Sequence, residues 1–414
     1  MFSLERWNEI FETLNKNRLR TFLTALSVAS GIFILVILLG VSTGIQKGVQ
    51  SEFEQDAANR ISVWTGTTTK EYNGLNPGRY IQLKNEDHVL IESNYDDYLE
   101  YRTPIYSIWG GAVSYKDQNG TYRVEGAFPD QQFIENETMV QGRFIAQSDL
   151  DQTTKVAVIG HQMKRDLFKN EDPIGAQIDI QGINFIVVGV YSDPGGNREE
   201  NRIFIPLSTA QKVFNAQDRL RSLAYTVKMS DDFDQAVALS SALSEQIDKD
   251  LRQKYSVAPD DRSAVRVDST LEEAKRIYGL IDTIRGVFWF IGIGTIIAGI
   301  VGVSNIMLIV VKERTKEIGI RKALGALPWS IIGMILQEAI FVTAMAGFIG
   351  LFLGVGLLEL VGPMVDSAFI KYPQVDFATA MTTVVVLILA GTLAGFIPAQ
   401  RAAHIRPIEA LRDE

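Results

Sequence analysis

Four stretches of this chain carry no charge at all: Thr21 to Gln46, Gly286 to Val311, Ala339 to Leu358 and Phe377 to Gln400. Each is close to the twenty or so residues that a helix needs to cross a hydrocarbon core of about 30 Å. A core helix of a soluble protein usually keeps a polar face, so uncharged blocks of this length predict four transmembrane helices. The first block is read as an uncleaved anchor. It exceeds the apolar region of about 7 to 15 residues found in cleaved leaders, follows a mixed-charge segment and has no A-x-A-like site after it.

The cations set the orientation. Lys16, Arg18 and Arg20 precede the first block, Lys312, Arg314, Lys316, Arg321 and Lys322 follow the second, and Arg401, Arg406 and Arg412 follow the fourth. Basic flanks stay on the cytoplasmic side. Both termini are therefore expected inside, in the inner (plasma) membrane, with the loop Glu359 to Asp376 outside. One large domain, 47–285, is then extracytoplasmic. The net charge of −9 falls mostly in that domain, which argues against nucleic acid as a partner. With no cysteine in the chain, the domain is held by its core rather than by disulfides.

Before the first block, Leu4, Trp7, Ile10, Phe11 and Leu14 recur at helical spacing, so 1–20 is expected to be an amphipathic helix at the membrane surface. The four-residue period of Ile45, Val49 and Phe53, and that of Leu271, Ala274, Tyr278 and Ile281, extend the first two spans outward as a stalk. Between them the pattern turns to short strands and turns. Arg60 to Thr65 and Leu99 to Ile108 read as strands around a short helix Glu86 to Ser93, and Leu223 to Met229 and Ala264 to Val267 as strands around a helix Asp232 to Lys254. These suggest two β-α-β units, 55–110 and 222–270, separated by a β-rich insertion, 111–221. In the insertion Asn119-Gly120 and Gln181-Gly182 read as hairpin turns. The expected fold is thus a membrane α-helical unit (four transmembrane helices at 21–46, 286–311, 330–360 and 377–400) plus an α+β extracytoplasmic domain, with a cytoplasmic segment at 312–328 and a tail at 401–414.

No phosphate loop G-x-x-x-x-G-K-[ST] occurs in the sequence, and "GIQKG" at Gly44 to Gly48 lacks the required order. His88, His161 and His404 lie in three separate regions. No cofactor, no metal site and no catalytic residue is expected. Asp231-Asp232 reads as a helix cap.

The segment "KERTKEIGIRKALGA", Lys312 to Ala326, interleaves acids and bases directly after an uncharged span. Ile320, Ala323, Leu324 and Leu327 follow i, i+3, i+4, i+7, Glu317 and Arg321 stand in the favourable i, i+4 order, and Gly325 and Pro328 can end the helix. Anionic lipid needs only basic charge, so Glu313 and Glu317 favour a protein partner over a lipid surface.

"NIMLIVVKERTKEIGIRKALGA", Asn305 to Ala326, resembles the signature of the MacB/FtsX-type permeases of ABC transporters. The opening "NKNRLRTFLTALSVASG", the ending "PAQRAAHIRPIEALRDE", and "VAVIG" with "DPIGAQIDIQGINFIVVGV" are similar to that family's first-span entry, its terminus and its outer domain. The sequence departs from the family pattern at Ser27, Ser304 and Lys312. The resemblance implies a coupling helix that docks on a separate cytoplasmic ATPase through Lys312, Glu313, Arg314, Glu317, Ile318, Gly319, Arg321, Lys322, Gly325 and Ala326. It also implies a permease dimer of like or unlike chains, an outer domain with a porter-like part, a periplasmic adaptor as a further partner, and mechanical transmission to the outer domain for export. An FtsX-like regulator of a cell-envelope hydrolase and a lipoprotein-releasing permease remain open as alternative roles.

Small residues recur every four positions in the spans: Gly294, Ala298 and Gly302; Ala346, Gly350 and Gly354; Gly391 and Gly395. Such rows let helices approach closely, within one chain or across a dimer. Charged residues are missing from the span centres, with Glu338, near the cytoplasmic start of the third span, as the exception: a functional carboxylate or a charge favoured near a helix N-terminus.

Overall fold

The computed structural model describes residues 18–53, 57–229, 232–365, 371–375 and 377–406. They form two units, one of residues up to 49 and from 278 onward, the other of residues 50–277. The surface helix expected at 1–20 lies almost wholly outside the described residues, as does the end of the tail beyond 406.

The outer unit is built on a ten-stranded sheet among the described residues. Its strands are β1 (Arg60–Thr65), β2 (Leu99–Tyr115), β3 (Gln118–Ala127), β4 (Thr138–Gly142), β5 (Val156–Gly160), β6 (Gln177–Ile180), β7 (Ile183–Ser192), β8 (Arg202–Pro206), β9 (Ser222–Val227) and β10 (Val265–Ser269). The first part alternates β1, helix α2 (Asn85–Tyr95), β2 and then β9, helix α3 (Phe233–Tyr255), β10, following a first helix α1 (Arg18–Phe53). Its strands lie in the order β10-β1-β9-β2, every neighbouring pair antiparallel. That is the order of a ferredoxin-like split β-α-β unit.

The core of this part follows from periodicity. Ile61 and Val63 on β1 and Leu223 and Tyr225 on β9 are fully buried beside Leu243, Ile247 and Leu251, which recur on one face of α3. Each such side chain contributes about 1.5–3 kcal/mol of burial. Asp232 caps α3, its Oδ1 accepting from the Asp234 and Gln235 amides at 2.9 and 3.4 Å. The fully buried Asp87 at the start of α2 accepts from Lys254 Nζ at 2.5 Å and Tyr255 OH at 2.6 Å, joining α2 to the end of α3.

The β-rich part, β3 to β8, is reached through β2. Residues Leu99 to Ile105 of that strand pair with β9, and residues Tyr106 to Tyr115 pair with β3, across a bulge between Ile108 and Gly111. Gly110 takes a positive φ of 69° there. The sequence pattern breaks at this bulge into two apparent strands, whereas the chain forms one.

The first hairpin turn also differs from expectation. Tyr115 pairs with Gln118, so the turn is Lys116-Asp117, and Asn119 and Gly120 lie inside the ladder opposite Ser114 and Val113. Val113 and Ser114 also pair with Ile180 and Asp179 of β6, and Val113, Tyr122 and Val124 are buried in one cluster, so the buried face of the ladder sets the register. Local turn preference yields to that burial. At the second hairpin Gln181 and Gly182, with φ of 53° and 85°, form the turn between β6 and β7.

The other unit holds α1, α4 (Thr270–Glu313), α5 (Thr315–Ala323), α6 (Pro328–Val361) and α7 (Phe377–Ala403). Four of these helices are long and apolar enough to cross a membrane. Along α1, Ile32, Leu35 and Val36 are buried, while α4 presents Phe290, Ile297 and Val301 outward, as lipid contact requires. At 1.5 Å per residue the 44 residues of α4 extend about 66 Å, roughly twice the hydrocarbon thickness.

Candidate functional site

The site builds from the end of α4. That helix runs unbroken through the second uncharged block to Glu313, then Arg314 leaves helical geometry, and α5 begins at Thr315. At its other end the Gly325 amide bonds the Lys322 carbonyl (3.1 Å) and the Ala326 amide the Arg321 carbonyl (3.0 Å), with Gly325 at a φ of 96°. This paired closure is a Schellman cap, which needs a left-handed residue at that position and so favours glycine. Pro328 then opens α6 at its first turn.

Arg314 is the centre of the charged network. Its Nε and Nη2 donate to the two Glu317 carboxylate oxygens, both at 2.8 Å, and its Nη1 donates to Glu338 Oε2 at 3.3 Å. Arg321 Nη2 lies 2.9 Å from Glu317 Oε1, and its Nη1 reaches Met334 Sδ. Lys322 Nζ donates to the carbonyls of Ala403 and Ile405, both at 2.7 Å, covering the C-terminal end of α7 where a cation is favoured. Ile318 and Gly319 are buried, Ile318 in a cluster with Val311, Ile331 and Ile335. α5 is therefore fastened to α6 and to α7.

The structure thus gathers Arg314, Glu317, Arg321 and Glu338, and sends Lys322 to α7. Lys312, Glu313 and Lys316 are exposed. Glu338, 3% exposed, is a buried member of an ion pair. The apolar stripe read at Ile320, Leu324 and Leu327 is turned outward, Leu324 being 83% exposed, and Trp329 extends it at 79%. Sequence reasoning singled out the stripe without its direction and missed Trp329, whose signal was an aromatic residue just beyond the Pro328 stop.

The small-residue rows separate into two kinds. A Cβ added at Gly350 would lie 2.3 Å from the Ala29 carbonyl oxygen of α1, one at Gly354 would meet Val36, and those at Gly391 and Gly395 would meet Ile340, Thr343 and Ala339 of α6. These glycines pack the chain internally. Gly294 and Gly302 meet nothing within 4 Å, and Ala298 is exposed. On α4 the internal contacts are made instead by Gly292 against Leu35 and Gly299 against Val28. The gap left between the apolar helices at Val28, Ile296, Thr343 and Leu387 has a volume of about 10 Å³, no larger than one water needs.

Four apolar helices joined to an α+β unit of this topology, with a braced charged helix between two spans, define a membrane protein with an extracytoplasmic domain. Residues 21–243, more than half of the chain, match the MacB-like periplasmic core domain, and residues 289–407 match the FtsX-like permease C-terminal domain. The chain belongs to this family and is a MacB-like ABC transporter permease. It is 28% identical over 423 residues to a macrolide export ATP-binding/permease protein MacB of Bdellovibrio bacteriovorus, covering 99% of this chain and 62% of that one. It is 25% identical over 418 residues to an uncharacterized ABC transporter permease of Methanocaldococcus jannaschii, covering 98% and 96%. The periplasmic region of MacB from Actinobacillus actinomycetemcomitans aligns with 56% of this chain and 97% of that one, at 22% identity and a TM-score of 0.43. The chain spans less than two thirds of the length of the MacB relatives it matches.

Proposed function

We propose that this chain is the transmembrane subunit of an exporter, converting ATP hydrolysis outside its 414 residues into movement of the extracytoplasmic domain. The observation that supports this reading is the fastening of α5 to both α6 and α7 while its apolar ridge, Ile320, Leu324, Leu327 and Trp329, stays exposed. An ATPase seated on that ridge pushes two spans at once. Lys312, Glu313 and Lys316 form its charged rim, which steers and orients the partner more than it adds affinity. The ATPase must favour different permease states with and without nucleotide, because only differential binding shifts a conformational equilibrium. The basic flanks support a cytoplasmic location for α5 and for both termini.

A second permease copy completes the assembly, and the exposed face Gly294, Ala298 and Gly302 of α4 is its contact. An extracytoplasmic adaptor is a further partner in this reading. Among the described residues, the gap at Val28, Ile296, Thr343 and Leu387 holds about 10 Å³, which suits transmission of movement rather than passage of a compound at that point.

Leu324→Glu tests the docking ridge without touching the internal network. The expected result is at least a tenfold loss of ATPase co-purification and of ATP-driven export, with thermal stability unchanged because Leu324 contacts little within the chain. Full recruitment by this variant, and by a Glu317→Ala/Arg321→Ala pair, would refute the assignment of α5 as the coupling element.

A further inference from the structure

Three carboxylates converge in the outer unit. The ladder between β4 and β7 pairs Thr138 with Ser192, so the residues just beyond, Glu137 and Asp193, come side by side. Glu135 joins them across Asn136, which takes a left-handed φ of 50°. One oxygen of each of the three lies within 4.8 Å of the others. All are buried: Glu135 and Glu137 are 5% exposed and Asp193 is 8% exposed.

Two of the three have protein donors. Glu135 accepts from Arg202 Nη1 at 2.6 Å and from Arg60 Nη1 at 3.4 Å, and Asp193 Oδ1 accepts from the Gly195 amide at 2.6 Å. Glu137 has none. Both of its carboxylate oxygens are buried without a hydrogen-bond partner, and it faces Glu135 and Asp193. A buried carboxylate left so is strongly unfavourable unless a proton or a cation meets it.

The surroundings add to the deficit. Glu125 on β3 is 3% exposed, with one oxygen 2.6 Å from Arg123 and the other unpartnered. Glu125, Glu135, Glu137 and Asp193 thus share three arginines, Arg60, Arg123 and Arg202, and Arg202 is also paired with Glu199. Burial, then the charges of Glu135 and Asp193, push the Glu137 carboxyl well above its ordinary range. Glu135, although burial opposes it, is held below its ordinary value by Arg202 and Arg60.

We propose that Glu135, Glu137 and Asp193 bind one divalent cation of the calcium type in the extracytoplasmic domain. An all-oxygen, carboxylate-rich donor set selects a hard cation over zinc or copper. Oxygens within 4.8 Å of one another fit around a centre with ligand distances of about 2.3–2.6 Å, and the irregular set suits calcium better than octahedral magnesium. The cation ties the start of β4 to the end of β7 and to the segment Asp193 to Asn201 that leads into β8.

The test uses the full chain in detergent, stripped with EDTA and titrated with Ca²⁺ by calorimetry, with melting temperature read in parallel. About one Ca²⁺ per chain is expected, with a Kd on the order of 10⁻⁴ M as in extracellular modules, together with a rise in melting temperature. Glu137→Gln is expected to lose at least tenfold in affinity, and Asp193→Asn gives the same reading should the first variant fold poorly. An Asp268→Asn control on the exposed edge strand should bind as the wild type does. Absence of Ca²⁺ binding up to 10-fold above that Kd, equal affinity in the Glu137→Gln and Asp193→Asn variants, or an infrared carboxyl band from Glu137 that Ca²⁺ does not remove would each overturn the proposal.

Discussion

Arg314→Met is expected to reduce ATP-driven transport by about 5- to 150-fold, the range of a coupling free energy of 1–3 kcal/mol. This one side chain holds Glu317 through two parallel bonds and Glu338 through a third. Removing it leaves Glu338 buried without its cation, a change that costs about 3–5 kcal/mol when a buried pair loses one partner. Arg314→Lys should restore little, because an ammonium cannot reproduce the bidentate geometry. The informative comparison is the double variant Arg314→Met/Glu338→Gln. It removes both charges, so unfolding in detergent should return toward the wild-type midpoint, while export stays low because the ionic tie from the start of α5 to α6 is gone, leaving the Arg321–Met334 and Ile318 contacts. Recovery of export together with stability would show that the pair serves folding alone. Undiminished transport in Arg314→Met would remove the network from the mechanism altogether.

What the sequence makes legible here follows from range. Hydropathy is a local quantity, so the four spans and their approximate limits can be read directly from the missing charges. The Schellman cap at Gly325 and the α3 cap at Asp232 are also local, and both are readable as signals. Partners distant in sequence are not. Glu338 stands 24 positions from Arg314, and no spacing rule connects an acid in one helix to a base before another. The direction of the Ile320, Leu324, Leu327 stripe was hidden for a related reason. Periodicity shows that a helix has two faces, but which face the rest of the chain covers depends on Ile331 and Ile335 packing over Ile318 instead.

In the outer unit the same limit governs register and ligands. Asn119-Gly120 is a strong local turn signal, yet the ladder that buries Val113, Tyr122 and Val124 together moves the turn to Lys116-Asp117. Glu137 and Asp193 meet only because the ladder pairs Thr138 with Ser192, so the cluster carries no local motif of the kind that a calcium-binding loop of fixed spacing shows. The small-residue rows show the opposite difficulty. Their spacing is plain in the sequence, but spacing alone gives the same reading to a glycine pressed against a neighbouring backbone and to one facing outward.

Two glycine substitutions separate those roles. Gly350→Leu is expected to prevent stable folding of the membrane unit. Its added Cβ would stand 2.3 Å from the Ala29 carbonyl oxygen, a backbone atom that moves only if α1 and α6 part. Overpacking of a well-packed site costs about 1–3 kcal/mol and more where backbone must shift. Separation would also loosen Gly354 from Val36 on the same pair of helices, so the loss should appear as a low yield of folded protein and a depressed melting temperature. Gly302→Leu meets nothing within 4 Å and should leave the monomer's melting temperature within a few degrees of wild type. If the Gly294, Ala298, Gly302 face joins two copies, the same variant loses the dimer. The chain contains no cysteine, so Gly294→Cys supplies a single reporter for cross-linking in membranes. Cross-linking of Gly294→Cys should fall at least tenfold when Gly302→Leu is added, because a close helix crossing depends on small residues on both sides. Full cross-linking in the combined variant would move the dimer contact off this face, and a normally folded Gly350→Leu would mean that α1 and α6 do not need their close approach.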